Sequence, residues 1–539
     1  MKKFAKVLTL SLAVVLVLGA LSGCKQEGPT TADGTPIISY FMPLDPGRDF
    51  TSDTWVIKNW GEKTGTSIEI IPIQRDVFNE KIAAVFASKD FPDLINYYQD
   101  EKTVNKYGPR LFASLTEYLE DGKLPNLQKL LEQYPDIYEK NTRLEDDQLY
   151  GFPAFKAYDQ PFAAWSIRED ILNKAGWSAD DIKTEDDVKE ALLAIKKVSG
   201  HPYVTSSRLG WNYFAEMTGY MFGTSPYMMY DNRTSQSKNE WIYGPTGHMF
   251  KEWVEFYRWA YENEVIHPDF DRMSEQELYA GYTDGSFQLS MEQAGQGAML
   301  SSYLPKYYGT RTETPIYGFE INGEVPKQPM LYHSHNGYRW PVTVTKTSGN
   351  VEHAMRAMDW LYSEEGINET KFGEEGVHWV KDDDYGNGIR RMIKDQYYQL
   401  NRLEKGEITQ EEYDALPTND ELCLTSAWLS PARPVYEGFA LSYHKDDKRS
   451  KENSDYVVDM CQTIIDRGWT CGTDPVVKFT EEEQEEIDEI LATLETFVSE
   501  KALNFIKGKL PMEEFDAFQA EVRAMGADRL AEMYNAKMK

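Results

Sequence analysis

The sequence predicts an α/β fold divided into two lobes. Three observations carry that prediction. Short β-branched runs alternate with helical stretches from residue 37 to residue 95, a second set of amphipathic helices follows, and the 516 residues left after a leader is removed exceed what one hydrophobic core ordinarily serves.

The leader comes first. Lys2, Lys3 and Lys6 precede an apolar run over 7–18, too short to cover about 30 Å of hydrocarbon at roughly 1.5 Å per residue, so a cleavable secretory signal over 1–23 is expected. Leu21-Ser22-Gly23-Cys24 has the form of a bacterial lipobox. Small residues at 22 and 23 let the extended chain enter a peptidase cleft, and the Cys24 thiol is the lipid acceptor. The mature chain is therefore expected outside the cytoplasm, lipid-anchored to the outer face of the bacterial cytoplasmic membrane. Residues 24–35 combine Gly, Pro, Thr and charge without apolar periodicity and read as a flexible tether.

The first lobe opens with an apolar strand over 37–42 and a turn-rich loop, 43–48. A helix is expected from about Ser52 to just before Gly65, where glycine supplies a left-handed terminus. Then come a strand over 67–73, a helix over 76–88 and a strand from Pro92 to Ile95, the order of βαβ units with a parallel sheet. Ligands of such sheets gather beyond the C-terminal strand ends, which singles out Asp45 and Arg48 in one loop and Tyr97, Tyr98 and Asp100 in another. Further on, 184–198 has one apolar face and a Thr184/Asp187 capping pair, and a second amphipathic helix follows Asn350. From Thr480 a glutamate-rich first turn opens a third, expected to run about four turns before Gly508 and Pro511 break it.

Composition narrows the function. Without the three signal lysines, 54 basic residues face 88 acidic ones, a formal charge of −34 that repels nucleic acid and anionic bilayers. The 13 Trp and 34 Tyr supply rings with a polar edge, suited to stacking on sugar faces while bonding hydroxyls. Cys423, Cys461 and Cys471 fit no metal or redox spacing. Buried free thiols are expected, with a Cys461–Cys471 pair the alternative. The sequence has no phosphate-binding loop, nucleophile elbow or zinc helix, and His333 with His335 offers only two ligands. No cofactor and no metal are expected. Glycoside hydrolysis needs two carboxylates about 5–9 Å apart, which spacing in sequence does not test.

Several segments together resemble the family 1 solute-binding proteins of carbohydrate ABC importers, in particular the LplA-like lipoprotein subgroup. They are Glu62-Lys63-Thr64-Gly65, Lys89-Asp90-Phe91-Pro92-Asp93-Leu94, Tyr150-Gly151-Phe152-Pro153, the run from Ser166 to Gly176, the run from Pro341 to Ser348, Phe372-Gly373-Glu374-Glu375-Gly376 and Phe505-Ile506-Lys507-Gly508-Lys509. Each is degenerate, but their order spans nearly the whole mature chain. The resemblance implies a two-lobe, type II periplasmic-binding-protein-like fold with a hinged cleft. It puts residues 36–157 and 318–366 in lobe 1, 158–317 and 367–539 in lobe 2, and the crossovers near 155–162 and 317–319. It implies a non-enzymatic monomer that closes on an oligosaccharide and delivers it to ABC permease subunits. Carried over by position, Asp45, Arg48, Tyr97, Tyr98 and Asp100 match loops that meet sugar hydroxyls. Glu292 and Gln293 match a strand reaching the cleft from lobe 2, and Asn336, Tyr338 and Trp340 match the start of the strand returning through lobe 1. Trp211, Trp379, Trp428 and Arg433 are further candidates chosen by ring type and loop context. Where many members of this subgroup carry a calcium loop, this chain reads Lys196-Lys197-Val198-Ser199-Gly200-His201-Pro202, so no calcium is expected there. A surface polysaccharide hydrolase and a peptide-binding protein are the competing expectations.

Overall fold

The computed structural model describes residues 28–44, 50–74, 77–96, 107–155, 160–294, 300, 313–332, 342–374, 379–381, 385–386, 390–392, 402–403, 405–415, 443–444, 456 and 459–538. Within them, two sheets each carry their own hydrophobic cluster, the two-lobe α/β arrangement.

In the first lobe, strand β1 (Ile37–Leu44) lies parallel to β2 (Ser67–Gln74), from Ile37 opposite Ser67 to Leu44 opposite Gln74. On its other side β1 runs parallel to β3 (Leu94–Asn96), with Tyr40 opposite Leu94. Helix α1 (Trp55–Thr64) stops at Gly65, whose φ of 63° is the left-handed conformation expected from the sequence. Its Trp60 is fully buried and donates from Nε1 to the Ala357 carbonyl at 2.7 Å, fixing α1 to the helix Val351–Trp360. Helix α2 (Phe78–Ser88) completes the second βαβ unit. Asp93 explains the Pro-Asp segment: its carboxylate accepts from Ser39 N at 2.8 Å, from Ser39 Oγ at 2.7 Å and from Ser348 Oγ, fastening β3 to β1.

The second lobe is built on β5 (Ala163–Arg168), every residue of which is buried. A hairpin, β6 (Met228–Asp231) with β7 (Glu240–Tyr243), decorates it, and Trp241 packs on Tyr534 near the C-terminus. Strands β8 (Leu289–Gln293) and β9 (Glu313–Ile316) flank β5 antiparallel, so that Trp165 stands opposite both Met291 and Ile316. Trp165 is itself fully buried beside Phe222, Phe256 and Phe319. The helix Glu185–Ser199 has the expected cap, Thr184 accepting from Asp187 N while the Asp187 carboxylate accepts from Thr184 N. The helix from Thr480 corrects the sequence estimate. It runs 26 residues, Glu481–Ile506, about seven turns, because nothing breaks its buried stripe of Ile487, Leu494, Val498, Ala502 and Phe505 before Lys507.

Between the lobes, β4 (Gln160–Pro161) pairs antiparallel with β10 (Met330–Tyr332), and β11 (Val342–Val344) then joins the first sheet, antiparallel to β3. Gln328 organises this junction. It is 3% exposed, its Oε1 accepts from Ala163 N at 2.7 Å, its N–H donates to Trp469 O at 3.0 Å, and its carbonyl accepts from Cys471 N. Phe319 and Ile321 pack in the second lobe's cluster, with Phe319 stacked on Phe256. Ile367 packs in the first lobe's cluster, where its helix, Glu364–Phe372, meets Lys63 through Glu365 at 2.6 Å and Glu369 at 3.1 Å. The stretch expected as tether is also partly folded: Thr30 is bridged to Pro36, and Ile37 N donates to Pro29 O.

Candidate binding cleft

The strand registers bring separate strand ends to one edge. Because β1 and β3 are parallel, Leu44 and Asn96 end at the same side of the first sheet. Because β11 runs antiparallel, with Val342 opposite Asn96, its beginning lies there too. The loop with Asp45 and Arg48 leaves from Leu44, the loop with Tyr97, Tyr98 and Asp100 from Asn96, and the segment with Asn336, Tyr338 and Trp340 arrives at Val342. This is also the edge served by the crossing chain, since β10 leads into that last segment. In the second lobe, Gln293 stands opposite Ala163, two residues from Pro161 of the crossing pair. Both sheets therefore turn the relevant strand ends toward the junction, the geometry in which ligands of open α/β sheets bind.

The side chains of Asp45, Arg48, Tyr97, Tyr98, Asp100, Asn336, Tyr338, Trp340, Trp379, Trp428 and Arg433 lie outside the described residues, as do Cys24, His333 and His335. Trp379 is known by its backbone alone, which pairs with Met392 in β12 (Trp379–Lys381). Three predicted side chains are described. Gln293 is half-buried at the end of β8. Trp211 is half-buried against the second lobe's core, edge-on to Trp253 with ring centroids 5.7 Å apart and 6.1 Å from Phe214. Glu292 is 2% exposed and engaged inside the lobe.

That engagement is a polar network the sequence did not disclose. Arg208, itself 2% exposed, grips Glu292 with both arms, Nε to Oε1 at 2.9 Å and Nη2 to Oε2 at 3.0 Å, and its Nη1 donates to Glu275. Such a fork is the strong form of a charge-assisted bond. The guanidinium lies 4.9 Å from the Tyr213 ring centroid and 5.6 Å from that of Tyr279. Tyr213 donates its hydroxyl hydrogen to Glu292, and Tyr279 donates to Glu275 at 2.6 Å. Burial, with the Glu292 charge beside it, pushes the Tyr213 hydroxyl well above its ordinary value, so it stays a donor. The strand Leu289–Gln293 reads Leu-Ser-Met-Glu-Gln, with too little apolar character in the sequence to mark Glu292 as buried.

The two buried carboxylates, Glu275 and Glu292, share the one guanidinium of Arg208, which holds them inside the lobe. Among the described residues no cluster of three or more His, Cys, Asp or Glu is placed to hold a metal. The 185–199 helix ends at Gly200, φ 72°, with the Lys196 ammonium bonded to Asn263 O at 2.8 Å and Glu264 at 2.9 Å. Cys461 and Cys471 are separate thiols, and burial raises the first to about 12 and the second to about 11.

The comparisons agree with this architecture. The model of the bacterial extracellular solute-binding protein family matches residues 49–367. No curated protein sequence matches the chain. Among solved structures, the chain is similar to the Streptococcus pneumoniae ABC-transporter substrate-binding protein FusA in complex with kestose, at 16% identity and a TM-score of 0.69, covering 93% of this chain and 98% of that one. It is similar to the alginate-binding protein AlgQ2 without calcium ion, at 14% identity and a TM-score of 0.70, covering 93% and 98%. It is also similar to an HMO-binding, ABC-transporter-associated solute-binding protein from Bifidobacterium longum infantis, at 15% identity and a TM-score of 0.66, covering 94% and 98%. With more than half of its length matched by the family model and two lobes joined at a crossing-strand junction, the chain belongs to the bacterial extracellular solute-binding protein family.

Proposed function

We propose that the chain is the lipid-anchored capture subunit of an ABC importer for an oligosaccharide. The observation that carries this reading is the convergence of strand ends. Leu44, Asn96 and Val342 lie at one edge of the first sheet, and they adjoin in sequence the segments that hold Asp45 and Arg48, Tyr97, Tyr98 and Asp100, and Asn336, Tyr338 and Trp340; Gln293 ends β8 beside the crossing pair, which supports the reading. Rings with polar edges among carboxylate, amide and guanidinium groups suit a neutral polyhydroxylated ligand, which is stacked on its faces and bonded at its rim. Kestose, HMO and alginate among the neighbours' ligands support the carbohydrate assignment. Trp379, Trp428 and Arg433 stand as further contacts. Glu292 acts at one remove, holding Tyr213 in place.

The lobes sample open and closed arrangements, and the sugar favours the closed one because only there do both lobes touch it. No covalent step is involved, and the closed monomer then docks on permease subunits. Cys24 carries the lipid that keeps it at the outer face of the cytoplasmic membrane. The test is calorimetry of the soluble chain against a panel of oligosaccharides, with chromatography of the ligand afterwards. Saturable binding with intact sugar is expected. Cleaved sugar overturns the reading in favour of a hydrolase, and binding confined to peptides overturns it in favour of peptide capture.

A further inference from the structure

The start of the described chain is clasped to the first lobe. Ile37 N donates to Pro29 O at 2.9 Å, Thr31 N to Thr35 O at 2.8 Å and Gly34 N to Thr31 O at 3.0 Å, which closes a turn. Asn350 locks it. Its side chain is buried, and its Nδ2 donates to Pro29 O at 3.0 Å and to Ile37 O at 2.8 Å. Gly28 lies so close that a Cβ there would stand 2.4 Å from Asn350 Cγ. Asn350 is held in turn, since its N–H donates to Ser348 Oγ at 3.0 Å and Ser348 donates to Asp93, the residue that fastens β1 to β3. The clasp therefore belongs to the frame of the sheet.

Its position has a geometric consequence. Three residues, 25–27, separate Cys24 from Gly28, a reach of about 14 Å at full extension. The cleft end of β1 lies seven residues beyond Ile37, about 23 Å along the strand. The leash is shorter than the strand. We infer that the Asn350 clasp turns the apparent tether into a short leash that presents the N-terminal edge of the first lobe's sheet to the bilayer headgroups and holds its cleft edge away from them. This rests on lipid attachment at Cys24. The orientation comes from the leash and not from charge, because a mature chain of formal charge −34 gains nothing from anionic headgroups. Opening the clasp frees residues 28–36 and adds about 30 Å of reach.

The test uses the full lipidated chain on phosphatidylcholine vesicles carrying a headgroup acceptor dye. A donor fluorophore is placed through a non-natural amino acid at exposed Glu62, beside the start of β2, or at exposed Gln74, opposite Leu44. Stronger energy transfer from position 62 than from 74 is expected. That difference is lost on inserting ten Gly/Ser residues between Glu27 and Gly28, which leaves the clasp intact, and is reduced by Asn350→Ala. Equal transfer from the two positions in the native chain, or a difference that survives the insertion, overturns the leash. Protein that fails to float with the vesicles overturns the lipid anchor itself, a separate result from floating with equal transfer.

Discussion

Replacing Arg208 with methionine removes the cation from the most deeply buried ionic network described in the second lobe. Arg208 and Glu292 are each 2% exposed and Glu275 is 7% exposed, so the two carboxylates are left close together with little water to screen them. Breaking a buried pair by deleting one partner costs about 3–5 kcal/mol. For a lobe of this size each kcal/mol moves the midpoint on the order of 2 °C, so the second lobe's transition is expected to fall by about 6–10 °C. Differential scanning calorimetry reads it. The triple variant Arg208→Met, Glu275→Gln, Glu292→Gln, in which no charge remains, is expected to recover most of the loss. A single variant within about 1 kcal/mol of the native chain refutes the claim that Arg208 holds these carboxylates together.

Four further outcomes are expected. Gln328→Ala leaves the buried Ala163 N–H without its acceptor, a cost of about 1–3 kcal/mol read by denaturant unfolding. Trp340→Ala and Trp428→Ala each weaken oligosaccharide binding about tenfold by calorimetry, and unchanged affinity for both removes them from the site. Thr184 and Ser274, through their hydroxyls and N–H groups, hold Asp187 and Glu277 below their ordinary values of 3.8 and 4.5. A depressed carboxyl contributes stability above its ordinary value and loses it as pH falls through the folded value, so the thermal midpoint is expected to fall between about pH 5 and pH 3 and to fall less in the Asp187→Asn, Glu277→Gln variant. Gly366→Ala sets a Cβ 2.1 Å from the Trp360 carbonyl and is expected to destabilise the first lobe, read as a lower thermal midpoint.

What the sequence made legible was local. Gly65 ends α1 because only a residue tolerant of positive φ fits there, and Thr184 with Asp187 caps its helix through bonds three residues apart. Alternating apolar runs located β1, β2 and β3, and the loops at their ends followed from the parallel order. What stayed hidden depends on partners far apart in the chain. Arg208 and Glu292 meet across 84 residues, and nothing in the spacing of 88 acidic side chains marks that one. Asn350 grips Pro29 across 321 residues, so a segment of tether-like composition turned out to be clasped. Phe319 packs on Trp165 and Phe256, partners that lie 154 and 63 residues away in the chain and that no local pattern announces.

Small-angle scattering during titration with a bound oligosaccharide tests the hinged capture most directly. A radius of gyration that contracts in proportion to occupancy, with the sugar recovered unaltered, is the predicted result. Saturable binding with no change in shape, at any sugar length that binds, would contradict it.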